Sequence, residues 1–108
     1  MSSINTVAVF AASERLDTTN VNDFKGKTLA LLTGHRVLII DLSRTAFIDS
    51  AGLGSLVSLL KSCANSGTRL IMASPTPQVR QIFELTRLYR LFDIFETVNL
   101  AQASLTTP

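Results

Sequence analysis

The chain has 108 residues, a length typical of one domain, and a formal net charge of +2 at pH 7. Hydrophobic residues make up 46% and charged residues 17% of it, which excludes a disordered chain, and no apolar run is long enough to span a membrane. The ten basic residues are scattered, with one tyrosine and no tryptophan, so we expect no nucleic-acid partner.

The cysteine and histidine content argues against metal and catalytic sites. Cys63 and His35 are the sole residues of their types. One cysteine cannot form an internal disulfide, and one cysteine with one distant histidine makes neither a zinc site nor an ordinary catalytic set. The N-terminus shows no secretory signal. We therefore predict a cytoplasmic protein without a bound metal, in which Cys63 is a packed thiol and His35 is exposed in a turn.

The first half of the chain predicts a strand, a helix and a second strand. Residues 4–12 combine alternation with β-branched side chains, which indicates a strand. The polar break at residues 15–20 starts a helix that we expect to end at Gly34, in the left-handed conformation. Residues 36–42 are apolar on both faces, as in a central parallel strand. Three side chains of the polar break can cap the helix: Asp17, Thr18 and Thr19.

The second half continues the alternation. A helix follows residues 49–54, with a core stripe at positions i, i+3, i+4 and i+7. That stripe consists of Leu53, Leu56, Val57 and Leu60. The predicted outward face holds Ser55, Ser58, Lys61 and Ser62. Residues 68–74 form the next strand, and Pro77 suits the first turn of a third helix. An edge strand near residues 94–98 and a short helix from residue 99 complete the chain, and the tail to residue 108 should fray.

This order of elements predicts the fold class. Alternating strands and helices imply an α/β domain with a mainly parallel sheet of four to five strands, helices packed on it and right-handed crossovers. No linker or internal repeat divides the sequence. We therefore predict a single domain over residues 1–108.

The most informative segment is Asp49–Gly54 (DSAGLG), where a strand region passes into a helix. Its plainest interpretation is a helix cap provided by Asp49 or Ser50. A dinucleotide site is disfavoured because Val57 replaces the third small residue of the glycine-rich motif, and no P-loop ending follows. A serine hydrolase is disfavoured because the G-x-S-x-G elbow is missing and His35 would have to be the base.

A regulatory phosphoserine is the remaining interpretation. A serine hydroxyl at a helix N-terminus beside glycines is accessible to a kinase, and the helix amides and dipole tolerate an anion there. A phosphate adds about −1.5 to −2 charges, which would disrupt a partner surface built for a neutral hydroxyl. The chemistry of Ser50 thus suits a switch that acts on binding and leaves the fold intact.

Three segments resemble the STAS domain, specifically the small single-domain anti-sigma factor antagonists of bacteria. They are Asp49–Gly54, the Arg15-Leu16-Asp17 run before the first helix, and the Pro75 loop before Arg80-Gln81-Ile82-Phe83. The resemblance implies that Ser50 is the phosphoacceptor and that Asp49 positions the kinase or biases the loop. It also implies that the loop of Asp17 lies beside the phosphorylation site.

The resemblance further implies partner switching. The chain without phosphate would bind an anti-sigma factor that is also a serine kinase with a GHKL-type ATPase fold, and so release the sigma factor. A PP2C-type serine phosphatase would reset it. The antagonist itself would be no enzyme, carry no cofactor and be a monomer or a weak dimer. The implied partner-binding residues are Asp17, Asp49, Ser50, Ala51, Gly52, Leu53 and Gly54.

The sequence departs from the family pattern at three places. Ala51 stands where many members carry a second Ser or Thr, Arg15 replaces a usual glycine, and only residues 1–5 are available for an extra N-terminal edge strand. Two alternative functions stay open at this point. One is a STAS scaffold subunit of a larger signalling assembly, and the other is a STAS domain that binds a small ligand or nucleotide.

Overall fold

The computed structural model describes residues 6–106 as an alternation of strands and helices. The predicted start of the first strand at residue 4 and the question of an extra N-terminal edge strand lie outside the described residues. Of residues 106–108, which were predicted to fray, 107 and 108 also lie outside them, whereas Thr106 is the last residue of a helix. The strands are β1 Val7–Ala11, β2 Arg15–Leu16, β3 Val37–Asp41, β4 Phe47–Ile48, β5 Arg69–Ala73 and β6 Asp93–Phe95. The helices are α1 Val21–Ala30, α2 Ser50–Ser66, α3 Pro77–Thr86 and α4 Val98–Thr106, with a 3₁₀ turn at Leu88–Arg90.

The main sheet is parallel and has the strand order β1-β3-β5-β6. Strand β3 is one of its two interior strands, the other being β5: Leu38, Ile39 and Ile40 have no exposed surface, because helices cover both faces. In the register, Ile39 lies opposite Val9 on one side and Ile71 on the other. The predicted α/β class with a mainly parallel sheet of four to five strands is therefore confirmed.

Alternate side chains of the strands feed two separate cores. One face of the sheet packs against α1, α2 and α3 through a large cluster that includes Leu38, Ile40, Met72, Phe24, Leu56 and Phe83. The other face packs against α4 through a smaller cluster of Val37, Ile39, Ile71, Ala73 and Ala101. Because α2 lies on the larger core, its first turn is held in a fixed position relative to the sheet.

A second, two-stranded sheet was not expected from the sequence. Strands β2 and β4 pair in parallel, with Arg15 opposite Phe47 and Leu16 opposite Ile48. Each strand is two residues long, which leaves no periodicity for a sequence pattern to reveal. This small sheet joins the predicted polar break to the segment that precedes α2.

Helix α1 begins directly after the polar break, as predicted, but the predicted capping residues and the predicted end of the helix are wrong. The side chains of the polar break do not cap the helix; the N-cap is Asn20 without a side-chain bond to the helix, and the carbonyl of Asp17 accepts the amide of Val21 at 3.0 Å. The helix ends at Ala30, since a turn takes over before Gly34. Gly34 does adopt positive φ, at 90°, within that turn.

The core-facing stripe of α2 is rotated relative to the prediction. Ser55, expected to face outward, is 4% exposed, and Leu59 and Cys63 are buried with it. Its hydroxyl donates to the carbonyl of Gly52 at 2.7 Å, which satisfies the polar group inside the protein. Small residues at 52 and 55 let α2 lie close to its neighbours, while Leu53 packs at the margin of the core.

Two further expectations are corrected and two are confirmed. His35 is half-buried rather than exposed, with Nδ1 2.7 Å from the carbonyl oxygen of Leu31. The last strand ends at Phe95 because α4 already begins at Val98. Pro77 opens α3 as predicted, behind the N-cap Thr76. The packed state of the Cys63 thiol is also confirmed, and burial raises its pKa to about 11.

We predict that truncating Leu56, which has no exposed surface, lowers the free energy of unfolding by about 3 kcal/mol because it leaves a cavity in the core beneath α2. The matched control is Leu85→Ala, since Leu85 is 78% exposed, and its effect should stay within about 0.5 kcal/mol. Urea denaturation of Leu56→Ala and Leu85→Ala measures both values. Equal losses would mean that α2 does not rest on this core.

Candidate functional site

The candidate site consists of two loops that the small sheet brings together. We call it the two-loop site: residues 17–20, which follow β2, and residues 49–54, which follow β4. Because β2 and β4 are parallel and in register, the residues after them, Asp17 and Asp49, leave the sheet at the same edge. The amide of Asp49 donates to the carbonyl of Leu16 at 3.3 Å, which extends the pairing to the site itself.

Asp49 is the N-cap of α2 and also connects the two loops. Its Oδ1 accepts the amide of Gly52 at 2.8 Å. Its Oδ2 accepts both the amide and the hydroxyl of Thr18, each at 3.2 Å. The Gly52 amide above all, helped by the two Thr18 donors, holds the pKa of Asp49 below its ordinary value of 3.8. The carboxylate is therefore charged at neutral pH, with both of its oxygens occupied.

Asp17 organises the other loop from inside. It is 5% exposed, and its Oδ1 accepts the hydroxyl and the amide of Thr19 at 2.5 and 3.0 Å. Its Oδ2 accepts Nε of Arg15 at 3.0 Å. The Thr19 hydroxyl chiefly, and the Arg15 guanidinium in addition, lower the pKa of Asp17 below 3.8. The next two residues, Thr18 and Thr19, are both exposed, and Thr19 is the one that bonds back to Asp17.

Asn20 completes the hydrogen bonding of this loop. Its Oδ1 accepts the amide of Asp17 at 2.9 Å, and its Nδ2 donates to the carbonyl of Arg15 at 2.6 Å. The loop thus closes on itself through side chains, as Asx-type turns do. A loop held in this way presents Thr18 in one position relative to α2.

Ser50 is the first residue of α2, and its side chain is exposed. Among residues 6–106 its hydroxyl has no hydrogen-bond partner, although a carboxylate is its direct neighbour in the chain. The prediction that Asp49 or Ser50 caps the helix is thereby resolved in favour of Asp49. Ser50 is consequently not needed as a cap.

The residues after Ser50 divide between the surface and the interior. Ala51 and Leu53 are half-buried, Gly52 is buried and Gly54 is exposed. A Cβ at Gly52 would overlap the carbonyl oxygen of Leu16 and lie 2.8 Å from Cγ2 of Ile48. A Cβ at Gly54 would meet nothing within 4 Å. Of these two glycines, Gly52 is thus the one at which another backbone approaches closely.

An arginine stacked on an aromatic ring borders the site, and no pattern in the sequence indicated this contact. Cζ of Arg15 lies 4.5 Å from the centroid of the Phe47 ring, where a cation–π attraction operates. Phe47 is 41% exposed, whereas the neighbouring Leu53 packs against the core. Of these two apolar residues, Phe47 is therefore the one available at the surface.

The geometry argues against the enzymatic interpretations of the motif. His35 precedes β3, whereas Ser50 follows the opposite, carboxyl edge of the sheet, and the five residues of β3 alone span about 16 Å. Gly52 and Gly54 lie inside α2 instead of forming a phosphate-binding loop before it. Within the described part of the chain, no group of three or more His, Cys, Asp or Glu residues could hold a metal ion.

A separate cavity of about 390 Å³ lies between α3 and β6. Its lining residues are Pro75, Arg80, Phe83, Glu84, Tyr89 and Ile94. The one cation of that lining, Arg80, is paired with Glu96 at 2.9 Å. None of these lining residues, all from the described part of the chain, is a glycine of the kind that forms a phosphate cradle. As for membranes, every helix among the described residues is too short or too polar to cross a bilayer.

Comparisons with known proteins agree on one family. The sequence profile of the STAS domain matches residues 1–101. A Thermotoga maritima protein named as an anti-sigma factor antagonist is 30% identical over 100 residues, which make up 91% of this chain and 88% of that protein. A crystal structure of an anti-sigma factor antagonist from the same species superposes with a TM-score of 0.85 at 29% identity, covering 94% of this chain and 88% of the other.

More distant structures share the fold. The Bacillus cell fate determinant SpoIIAA in its phosphorylated form superposes with a TM-score of 0.72 at 20% identity, over 94% of this chain and 92% of that one. SpoIIAA in its unphosphorylated form gives a TM-score of 0.75 at 22% identity, over 90% and 85%. At these identities the likeness concerns the fold alone.

The close contact at Gly52 makes a testable prediction. We expect Gly52→Ala to lower the free energy of unfolding by about 2 kcal/mol, because the added Cβ must displace the Leu16 backbone. Gly54→Ala is the matched control: it adds the same methyl to the same helix in open space and should stabilise by about 0.5–1 kcal/mol. Urea denaturation distinguishes them, and a stable Gly52→Ala would contradict the packing of α2 on β2.

The Asp17 network predicts a pH-dependent stability. Since the pKa of Asp17 is lower in the folded than in the unfolded chain, its stabilisation is present above 3.8 and is lost as the pH falls through the lower folded value. Asp17→Asn should therefore be less stable than the wild type at about pH 6, and this difference should shrink at about pH 3. Denaturation midpoints at both pH values measure it.

The control for this experiment is Asp23→Asn, which removes an exposed carboxylate paired with Lys27 at 3.2 Å on α1. Its effect at about pH 6 should be small, as for other surface pairs. If Asp17→Asn and Asp23→Asn were equally mild, the buried network would not hold the loop.

Proposed function

Because this chain belongs to the STAS domain family, we propose that it is an anti-sigma factor antagonist whose binding is switched by phosphorylation of Ser50. Without phosphate it binds an anti-sigma factor that is also a serine kinase with a GHKL-type ATPase fold, and the sigma factor is released. With phosphate it no longer binds. A PP2C-type serine phosphatase removes the phosphate, and the chain itself performs no catalysis.

The observation that carries this proposal is the state of the Ser50 hydroxyl. It is exposed on the first turn of α2 and has no hydrogen-bond partner among the described residues. A serine that serves only as a cap would donate or accept at the helix end, yet that role belongs to Asp49. A kinase can therefore take the hydroxyl without dismantling the helix.

The fold is suited to carry a phosphate at this position. The free amides and the dipole of the first turn of α2 favour an anion there. The larger core behind α2 contains no group that the phosphate would touch, since Ser50 points to solvent. The existence of SpoIIAA structures in both phosphorylated and unphosphorylated forms with this fold is consistent with such tolerance in that protein.

The loss of the partner follows from the charge. A phosphate brings about −1.5 to −2 charges next to Asp49, which is already ionised. A partner surface that accepts a neutral hydroxyl would have to desolvate a combined charge of about −2.5 to −3. Unfavourable charge placement at an interface costs several kcal/mol. Binding can thus be abolished while the domain stays folded.

The partner-binding surface in this proposal is the exposed part of the two-loop site. It comprises Thr18, Ser50 and Gly54, with the half-buried Ala51 and Leu53 at its centre. Asp49 and Gly52 support this surface through the helix cap, and Asp17 supports it through the loop. The chain would act as a monomer or a weak dimer in the cytoplasm, where ATP supplies the phosphate.

The proposal predicts the behaviour of three variants used as baits in a lysate of the source cell. Ser50→Ala should recover an ATP-binding serine kinase, because it keeps a neutral surface, whereas Ser50→Asp should not. The matched control is Ser104→Asp, which adds the same charge to an exposed serine on α4, across the sheet, and should bind as the wild type does. Recovery is read by mass spectrometry.

Circular dichroism of each bait shows that the folds are intact. Equal recovery of the kinase by Ser50→Asp and by the wild type would refute the switch. Recovery of no kinase by any bait would refute the assignment of the partner.

A further inference from the structure

The freedom of the Ser50 hydroxyl requires an explanation. Its neighbour Asp49 is a charged acceptor, and a serine next to a carboxylate can turn its hydroxyl toward it. Such a bond would hold the hydroxyl against the helix end, so that a kinase would have to break it before it could turn the oxygen toward its own catalytic base and the phosphoryl group. In this structure that bond is absent, and the Asp49 carboxylate is turned toward Gly52 and Thr18, whose donors its two oxygens accept.

One oxygen of Asp49, Oδ2, accepts hydrogen bonds from a single residue. Thr18 donates to Oδ2 from its amide and from its hydroxyl, both at 3.2 Å and across 31 positions of sequence. Two donors from one residue fix the direction of the carboxylate as well as its place. The other oxygen, Oδ1, then remains aligned with the amide of Gly52.

The position of Thr18 is itself fixed from below. The buried carboxylate of Asp17 accepts three hydrogen bonds, from Arg15 Nε and from the amide and hydroxyl of Thr19. Asn20 binds the backbone on both sides of Leu16. Thr18 is thus an exposed residue on a loop whose neighbours are held, and it cannot follow Asp49 if that side chain rotates toward Ser50.

We propose that Thr18 is a positioning residue for the Ser50 switch: it holds the Asp49 carboxylate on the helix cap and away from the Ser50 hydroxyl, which stays free for phosphorylation. This inference rests on the proposed function, because it concerns the acceptor of that reaction. It assigns the loop of residues 17–20 a task in presenting Ser50. Asp17 performs its part of that task by ordering the loop.

Three variants test the inference. Thr18→Val keeps the amide and the shape of the side chain but loses the hydroxyl, Thr18→Ser restores the hydroxyl, and Thr33→Val makes the same change at an exposed threonine after α1. The first readout needs no partner: NMR follows the titration of the Asp49 carboxyl. We expect its pKa to rise in Thr18→Val, since one donor is lost, and to return in Thr18→Ser.

The second readout is phosphorylation. Each variant is incubated with source-cell lysate and ATP, and the phosphate on Ser50 is quantified by mass spectrometry over time. We expect the initial rate for Thr18→Val to fall on the order of tenfold, because the acceptor is misplaced. Thr18→Ser and Thr33→Val should react as the wild type does. Thermal unfolding confirms that each variant is folded at the temperature of the assay.

The outcomes separate this inference from the proposed function. If the wild type and Thr18→Val are phosphorylated at equal rates, the inference is overturned and the switch stands. The inference also falls if the Asp49 pKa is the same in both. If the wild type itself gains no phosphate on Ser50, the proposed function is refuted, and the positioning role of Thr18 is refuted with it because it depends on that function.

Discussion

The carboxylate of Asp49 is the contact on which the rest of the site depends. It caps α2 by accepting the amide of Gly52, and it binds the neighbouring loop by accepting two hydrogen bonds from Thr18. Two segments 31 residues apart in sequence therefore form one surface. The small parallel sheet of β2 and β4 makes this contact possible, because its register sets the two loops side by side. Among the described residues, the two bonds from Thr18 to this carboxylate are the side-chain hydrogen bonds that join residues 17–20 to residues 49–54.

This arrangement separates the surface that a phosphate on Ser50 would alter from the hydrophobic core, which would stay unchanged. The larger core fixes α2 from behind through residues such as Leu56 and Leu59, and the exposed side of its first turn carries Ser50 alone. A charge added there meets helix amides that accept it and a neighbouring carboxylate that repels it. Local electrostatics at one hydroxyl can therefore decide whether a partner binds, with no need for the domain to refold.

The architecture was predictable from the sequence wherever a long pattern existed. The apolar run of β3 signalled a central parallel strand, and Pro77 signalled the start of α3, because burial on both faces and a fixed φ leave direct traces in residue types. Ser55 misled the prediction, since its hydroxyl bonds to the carbonyl of Gly52 within its own helix and is buried at little cost. A periodicity rule that counts every serine as polar therefore assigns Ser55 to the outward face of the helix.

The site was predictable as a motif but not as a geometry. The Asp49–Gly54 segment indicated that a helix begins there in an unusual way. The contacts that shape the site, however, come from residues that are distant in the sequence. Two-residue strands carry no period, and hydrogen bonds such as that of Thr18 to Asp49 depend on the register between them. The stack of Arg15 on Phe47 likewise follows from strand pairing, which no local pattern encodes.

The central claim is that a phosphate on Ser50 removes binding while the fold persists. The most direct measurement compares the chain carrying phosphoserine at position 50 with the unmodified chain, by calorimetric titration with the isolated kinase partner and by amide NMR spectra. The account predicts binding at least about 100-fold weaker, with spectral changes confined to residues 17–20 and 47–54. Equal affinity of the two forms, or a spectrum of an unfolded chain, would contradict it.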